Sequence, residues 1–185
     1  MPARKSDYPI SPLILNRWSP RSMSGETLSD EELMPLFEAA RWAPSSSNKQ
    51  PWRFLYGKQG TEGWQKLFSL LVPSNQAWCA RGAALALILS DKSSATHSFD
   101  TGMACQNLAL EGSAQGLVVH FMEGFDYKRA REVFELPDSI HIEAMLVVGK
   151  KEAKDKLPPH LQKREEPSSR KPLAEFVMNG SFRMT

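Results

Sequence analysis

The sequence predicts one compact domain of the α/β or α+β class. Its 185 residues, of which 41% are hydrophobic, are enough to bury a single core. Segments with the spacing of amphipathic helices alternate with short segments that have the alternating or continuously apolar character of strands. We expect one domain over residues 1–185, with a charged, proline-bearing surface arm from about residue 150.

A capping box predicts the start of the first long helix, because Ser29 is followed three positions later by Glu32. Apolar residues then recur at helical spacing up to Ala40. Pro35 lacks a backbone N–H and clashes with the preceding turn, so we expect a kink there or a later helix start. The helix should end before Pro44, because the residue that precedes a proline disfavours the helical conformation.

An aromatic strand and a second helix follow. Trp52, Phe54 and Tyr56 occupy alternate positions, which predicts a strand with one aromatic face. Thr61 is a suitable N-cap for a helix whose apolar residues lie at helical spacing. The aromatic side chains of that helix are expected in the core, and the alternative is that they line a substrate mouth.

The rest of the chain continues the alternation of strands and helices. The helix predicted at residues 99–116 carries few charges, so we expect it in the core or at a subunit interface, and Gly116 ends it. The other predicted elements are a buried strand at 83–89, a strand at 117–122, a helix from Asp126 to 136 and a buried strand at 144–148.

The composition excludes several classes of protein. A net charge of +2, from 23 basic and 21 acidic residues, lacks the strong positive field of nucleic-acid-binding proteins. No apolar run approaches the length of a membrane span, and the N-terminal residues lack the apolar region of a signal peptide. Cys79 and Cys105 lack CxxC spacing, so we expect two buried thiols rather than a disulfide framework or a zinc site. These observations predict a cytoplasmic protein that binds small molecules and has no nucleic-acid or membrane partner.

Several common catalytic motifs are absent from the sequence. It has no GxGxxG or GxxxxGK[ST] loop and no HExxH, which excludes Rossmann, P-loop and zincin chemistry. Residues 112–116, GSAQG, place Ser113 one position away from the serine of a GxSxG hydrolase elbow. No side chain is identified as a catalytic nucleophile. Four histidines lack metal-ligand spacing and are interpreted as surface or core residues, with no metal expected: His97, His120, His141 and His160.

The segment NRWSPR at residues 16–21 is a candidate phosphate site. Arg17 and Arg21 provide two guanidinium groups, which bind phosphate oxygens in a bidentate manner, and Ser19 adds a hydroxyl donor. The alternative is that both arginines are solvated surface residues.

A polar loop, PSSSNKQP at residues 44–51, is the second candidate site. Its prolines stiffen it, and Trp42 and Trp52 are expected to anchor its flanks to the core. The hydroxyl and amide groups that suit a flat, polyhydroxylated ligand belong to Ser45, Ser46, Asn48 and Gln50. The alternative is a helix C-cap with incidental serines.

Short stretches spread along the chain carry a family resemblance. In order, they are RWSPR at 17–21, APSSSNKQPWRF at 43–54, Asn75-Gln76, MEGFD at 122–126 and RKPL at 170–173. In combination they resemble the FMN-dependent nitroreductase family, and APSSxNxQPW is the most specific of them. The resemblance extends from about residue 13 to about residue 177, which is nearly the whole chain.

The resemblance implies an α+β fold in which helices wrap a central mixed or antiparallel sheet and two subunits form an intertwined homodimer. FMN, bound in the shared interface, would carry the chemistry, so no catalytic side chain is expected. The implied activity is an FMN-dependent NAD(P)H oxidoreductase. It would reduce nitroaromatics, quinones or similar small electrophiles by a ping-pong transfer through flavin N5, with NADH or NADPH as the reductant. The alternatives are reduction of enones, aldehydes or halogenated aromatics, or a flavin-binding module without catalysis.

The resemblance also implies which residues hold FMN. Those that match the phosphate contacts are Arg17, Trp18, Ser19 and Arg21 of the N-terminal segment, with Arg170 or, failing it, Lys171. Those that match the loop around the isoalloxazine and ribityl groups, commonly supplied by the partner subunit, are Pro44, Ser45, Ser46, Asn48 and Gln50.

Further residues that match FMN contacts of the family lie between residues 75 and 124. Asn75 matches a polar contact to the flavin ring, and Asp100 matches a ribityl contact. The basic residue that often follows three positions after Asn75 is replaced by Trp78, which leaves the flavin potential and the substrate preference open. The backbone that approaches flavin N5, where glycine avoids an intervening side chain, belongs to Met122, Glu123 and Gly124.

Overall fold

The computed structural model describes residues 4–182 and contains, over that range, a four-stranded antiparallel sheet. The strand order is β1-β2-β4-β3, so the two longest strands lie in the centre. The strands are β1 (Trp52–Lys58), β2 (Ala84–Asp91), β3 (Leu117–Met122) and β4 (Ile140–Lys150). The α+β class is confirmed, and the sheet is antiparallel throughout.

Helices surround this sheet. Over residues 4–182 they are α1 (Pro12–Asn16), α2 (Asp30–Arg41), α3 (Glu62–Leu70), α4 (Pro73–Cys79), α5 (His97–Ala114), α6 (Tyr127–Val133) and α7 (Pro159–Gln162). The four predicted helices are confirmed as α2, α3, α5 and α6, although α6 ends before the predicted residue 136. α1 and α4 were not predicted; both begin with proline, which suits a first turn, and are too short to show periodicity. None of these helices is long and apolar enough to span a membrane.

The capping box determines where α2 begins. Ser29 N donates to Glu32 Oε2 at 2.9 Å, and Glu32 N donates to Ser29 Oγ at 3.3 Å. α2 therefore begins at Asp30 and continues through Pro35 to Arg41, so the alternative of a later start is wrong. The two reciprocal bonds satisfy donors of the first turn before the proline is reached.

The sheet separates two hydrophobic cores. α3, α4 and α6 cover one face, whereas α2 and α5 cover the other. On β2, Leu85 and Leu87 belong to the first core, and Ala84 and Ala86 belong to the second. Burial on both faces explains why the sequence of β2 is continuously apolar. Trp64 of α3 lies in the first core, which confirms the core interpretation of that residue.

α5 lies against the second core. Ala104 and Leu108 are fully buried at 0% exposure, whereas Phe99 is 72% exposed. Gly116 has a φ of 74°, a left-handed conformation that favours glycine, and it follows the end of α5 at Ala114. The core position predicted for this helix is confirmed for its inner face.

The chain after β4 runs along the surface in short helical turns, yet it is fastened to the rest of the protein. Leu157 and Leu161 are buried in the first core. The carboxylate of Glu165, 4% exposed, accepts hydrogen bonds from Arg21 N at 2.8 and 3.0 Å and from Ser22 N at 2.9 Å. This carboxylate therefore holds the C-terminal arm against the N-terminal segment.

Candidate functional site

A cavity of about 830 Å³ lies between the N-terminal segment and the C-terminal arm. Its walls come from parts of residues 4–17, from α5 and from parts of residues 167–176. Arg17, Arg170 and Lys171, which the sequence assigned to a phosphate, all line this cavity. The structure thus brings together cationic residues from opposite ends of the chain.

Arg4 lines the same cavity, and sequence reasoning missed it. Its Nη1 donates to Leu15 O at 3.1 Å and to Arg17 O at 2.7 Å. Its Nε is buried and has no hydrogen-bond partner in the part of the chain that is described. A buried donor without a partner costs about 1–3 kcal/mol, so this atom is suited to an acceptor on a ligand. The basic pair Arg4-Lys5 is the sequence signal that could have drawn attention to this position.

The arginines of the cavity repel one another. Burial, followed by the charges of Arg4 and Arg170, lowers the pKa of Arg17. Burial, followed by the charge of Arg170, lowers the pKa of Arg4. Among residues 4–182, no ion pair involves any of these three side chains. A partly buried cluster of unpaired guanidinium groups favours an anion with more than one charge, such as a phosphate.

Ser19 and Trp18 flank this cluster in the N-terminal segment. Arg17 Nη1 donates to Ser19 Oγ at 3.3 Å, so the hydroxyl lies beside the guanidinium group as expected for a shared ligand site. Trp18 is half-buried, and the ammonium group of Lys151 lies 5.5 Å from its ring centroid. Trp18 is therefore held by a cation–π contact.

Arg21 lies apart from the arginines of the cavity. Its Cζ is 5.7 Å from the ring centroid of Trp78, which is a cation–π distance. Burial lowers the pKa of Arg21, and the charges that act on it include those of Arg164 and Glu165. The two guanidinium groups of the candidate phosphate site are therefore separated. Arg17 lines the cavity, and Arg21 contacts Trp78.

A chain of hydrogen bonds connects Trp78 to Asn75 and Gly124, two other predicted site residues. Its Nε1 donates to Asn75 Oδ1 at 3.3 Å, and Asn75 Nδ2 donates to Gly124 O at 3.1 Å. A Cβ added at Gly124 would lie 2.5 Å from Asn75 Nδ2, which is closer than real Cβ contacts allow. Gly124 is thus required by its contact with Asn75, in addition to the predicted approach of its backbone to a flavin ring.

Met122, the last residue of β3, and Glu123 directly precede Gly124 in the chain. Met122 is buried, and its Sδ is 3.7 Å from Cys79 Sγ, whereas Glu123 is exposed.

Both cysteine thiols have a raised pKa. Burial raises the pKa of Cys79. Burial and the charge of Glu143 raise the pKa of Cys105 to about 12. Cys79 is fully buried and Cys105 half-buried, so both remain neutral thiols with low reactivity.

An aromatic pair beside Gly124 is another feature that sequence reasoning missed. Phe125 and Tyr127 stack with a centroid distance of 4.1 Å, and Tyr127 is 39% exposed. Burial, followed by the charge of Glu123, raises the pKa of Tyr127. Tyr127 therefore presents a neutral, partly exposed ring next to the predicted N5 segment.

The polar loop is strained and bonded to itself. Ser47, Asn48 and Gln50 have positive φ values of 51°, 55° and 48°. Gln50 N donates to Ser45 Oγ at 3.0 Å, and Gln50 Nε2 donates to Asn48 O at 2.9 Å. Non-glycine residues in this conformation cost energy and cluster at binding sites, which favours a site over a helix cap with incidental serines.

Asp100 of α5 holds the loop in place. It is 2% exposed, and its Oδ2 accepts from Ser46 N at 3.2 Å and from Thr96 Oγ1 at 2.8 Å. Pro44 is exposed at the start of the loop. Within the described chain, the polar contacts of the loop with other segments lead to α5, to Arg53 of β1 and to Asp91 of β2. They join the loop neither to the arginine cavity nor to the Trp78 group.

The tryptophans that flank the loop differ in their surroundings. Trp52 is 8% exposed, as predicted, but Trp42 is 72% exposed, so its predicted anchoring in the core is wrong. Trp42 follows the last turn of α2, where its Nε1 donates to Glu38 Oε1 at 2.9 Å and Arg41 lies 4.9 Å from its ring centroid. Trp42 is the C-cap residue of α2, and its side chain lies against the last turn of that helix.

His120 packs against Trp78 and has a defined tautomer. A carbonyl oxygen only accepts, so the 2.8 Å contact with Pro20 O requires a proton on His120 Nδ1. The His120 ring is 4.6 Å from the Trp78 ring by centroids. Burial is the largest cause that lowers the pKa of His120, which is therefore neutral when the protein is folded at neutral pH.

We expect His120 to make the protein less stable in mild acid. The folded pKa lies below the unfolded value of about 6.5, so the unfolded chain binds the proton first and stability is lost as the pH falls through the folded pKa. His120→Gln keeps a side-chain donor for Pro20 O but does not titrate. Urea unfolding at about pH 8 and about pH 5.5 should show a smaller loss of stability for the variant than for the wild type. Equal losses in the two proteins would contradict the assignment.

Known proteins share the sequence pattern and the fold of this chain. The family model of the nitroreductase family matches residues 14–62 and 56–150. Protein DrgA of Synechocystis sp. is 30% identical over 157 residues, which are 67% of this chain and 75% of DrgA. The crystal structure of an oxidoreductase containing FMN superimposes with a TM-score of 0.95 at 38% identity, covering 98% of this chain and 97% of that one. A nitroreductase family protein from Clostridium difficile shares the fold, with a TM-score of 0.73 at 24% identity over 92% of this chain and 97% of its own. The chain therefore belongs to the nitroreductase family.

Proposed function

We propose that the protein is a cytoplasmic FMN-dependent NAD(P)H oxidoreductase that reduces nitroaromatics, quinones or similar small electrophiles. The arginine cavity carries this proposal, because Arg4, Arg17 and Arg170 form a cationic cluster without a carboxylate partner in the described residues. Such a cluster fits the dianionic phosphate of FMN. The oxidoreductase that is 38% identical over 98% of the chain contains FMN. Two free thiols agree with a reducing compartment.

The residues of the chain would hold FMN at two places. The guanidinium groups of Arg4, Arg17 and Arg170, with Lys171 and the Ser19 hydroxyl nearby, would bind the phosphate. Asn75 and the backbone from Met122 to Gly124 would contact the ring. When bound, FMN would supply the redox chemistry for a ping-pong exchange between NADH or NADPH and the electrophile. The protein itself contributes binding, orientation and charge.

We propose that the polar loop serves the site of a second subunit in a homodimer. Its residues Pro44, Ser45, Ser46, Asn48 and Gln50, with Asp100 behind them, make their polar contacts away from the arginine cavity of their own chain. Large apolar side chains remain exposed, which a partner would cover: Tyr8, Ile14, Phe99, Phe176 and Phe182. Light scattering that shows a monomer still holding FMN would contradict the shared site.

Anaerobic reduction tests the proposed function. Purified protein should take up FMN, become yellow and lose its absorbance when NADH or NADPH is added. Steady-state assays with a nitroaromatic, a quinone, an enone, an aldehyde and a halogenated aromatic then identify the class of electrophile. A yellow protein that neither nicotinamide reduces would be a flavin-binding module without this activity. A protein that binds no FMN would overturn the proposal.

A further inference from the structure

Trp78 contacts several groups that sequence and structure place in the site. It is 4% exposed, so its indole N–H needs a partner, and that partner is Asn75 Oδ1 at 3.3 Å. Asn75 can then donate only through Nδ2, one hydrogen of which is directed to Gly124 O at 3.1 Å. The indole thereby determines which end of the Asn75 amide contacts the backbone at Gly124 and leaves the second Nδ2 hydrogen for a ligand.

The positively charged guanidinium group of Arg21 lies over the face of the same indole. Arg21 Cζ lies 5.7 Å from the ring centroid. The backbone N–H of Arg21 is bound by the buried carboxylate of Glu165 at 2.8 and 3.0 Å, which restrains the chain at that point. Within the described chain, the guanidinium group of Arg21 makes no ion pair with a carboxylate. Its position is therefore determined by the backbone anchor and by the indole face.

His120 of β3 supports this arrangement by binding the segment that carries Arg21. Its Nδ1 donates to Pro20 O at 2.8 Å, and its ring contacts Trp78 at a centroid distance of 4.6 Å. Pro20 directly precedes Arg21 in the chain, so the backbone before the cation is also fixed relative to Trp78. Trp78 thus contacts Arg21 and Asn75 directly and packs against His120, which fixes the backbone before Arg21.

From this geometry we propose that Trp78 is a positioning residue, which holds the Arg21 charge and the Asn75 amide toward the ring end of the FMN site. This inference rests on the proposed function. A fixed cation near the ring stabilises the additional negative charge of reduced flavin, and the effect is larger in a site that excludes water. Trp78 therefore contributes to the midpoint potential of the bound flavin through Arg21, without contacting the reacting atoms itself.

The midpoint potential of bound FMN in a double-mutant cycle tests this proposal. Arg21→Gln should make the potential more negative, and Trp78→Leu should do the same because Arg21 loses its support. The double variant should be no more negative than Arg21→Gln alone, because without the Arg21 charge the loss of its support has no further effect on the potential. Trp78→Phe keeps a ring face but lacks the N–H, so it should retain most of the potential and weaken FMN binding through Asn75. Trp78→Phe also tests the proposal if Trp78→Leu does not fold.

Trp64→Phe is the matched control. Trp64 is also a buried tryptophan of the first core, at 7% exposure, and it stacks on Phe68 rather than on Arg21. Trp64→Phe should lower the free energy of unfolding without changing the midpoint potential of bound FMN. A yellow protein in which Trp78→Leu and Trp78→Phe both leave the potential and the FMN affinity unchanged would overturn this inference alone. Additive shifts of Arg21→Gln and Trp78→Leu would also overturn it, whereas a protein that takes up no FMN would overturn the proposed function first.

Discussion

Arg17→Ala should weaken FMN binding by roughly tenfold to a hundredfold, about 1.5–3 kcal/mol, if Arg17 makes a charge-assisted hydrogen bond to the phosphate. Arg17 is half-buried at the arginine cavity, and the charges of Arg4 and Arg170 act on it. The two remaining arginines would still attract the phosphate, so we expect reduced affinity rather than complete loss. Titration of FMN into the apoprotein, followed by quenching of flavin fluorescence, measures the change.

Riboflavin provides a ligand control for this prediction, because it lacks the phosphate. Its affinity should be nearly the same for wild type and Arg17→Ala, since the variant removes a phosphate contact. Arg41→Ala is the protein control: Arg41 is an exposed arginine that pairs with Glu38, outside the cavity. It should leave FMN affinity unchanged. If Arg17→Ala bound FMN as tightly as the wild type, Arg17 would have no role in the site.

Leu108→Ala should lower the free energy of unfolding by about 2–5 kcal/mol. Leu108 is fully buried at 0% exposure in the core between α5, α2 and the sheet, where truncation leaves a cavity that the packed neighbours cannot fill. For a domain of this size, each kcal/mol lowers the melting temperature by about 2–4 °C. Thermal and urea unfolding, at one protein concentration for all variants, measure the loss.

Leu110→Ala is the control for this second prediction. It is the same substitution on the same helix, but Leu110 is only half-buried, so the loss should be clearly smaller. Because α5 also carries Asp100, which holds the polar loop, Leu108→Ala should increase protease cleavage near residues 45–50. Equal destabilisation by the two leucine variants would contradict the packing described for α5.

The fold brings together some of the residues that the sequence assigned to a phosphate and separates another from them. Arg17, Arg170 and Lys171 line one cavity, whereas Arg21, assigned to the same phosphate, contacts Trp78. Side chains four positions apart in a regular extended segment lie on the same side. The direction of Arg21, however, depends on its contact with Trp78, which lies far along the chain. Arg4 was missed because no local pattern connects it to Arg170.

What the sequence by itself determined is the local structure and the family. The capping box of Ser29 and Glu32 and the alternating aromatics of β1 act over a few residues, so their effect can be recognised without the fold. The ordered motifs were likewise sufficient to indicate the nitroreductase family. These features depend on near neighbours in the chain, and near neighbours are known from the sequence.

Only the tertiary structure decided which of the selected residues meet. The sequence marked Trp78 as a departure from the family pattern, but the contact of its indole with Arg21 and Asn75 arises from the packing of α4 against the N-terminal segment. The arginine cavity likewise requires the two ends of the described chain to lie together, and buried Glu165 binds the N-terminal segment to achieve this. Contacts between distant segments depend on how the helices and arms pack on the sheet, and that packing is a property of the whole chain.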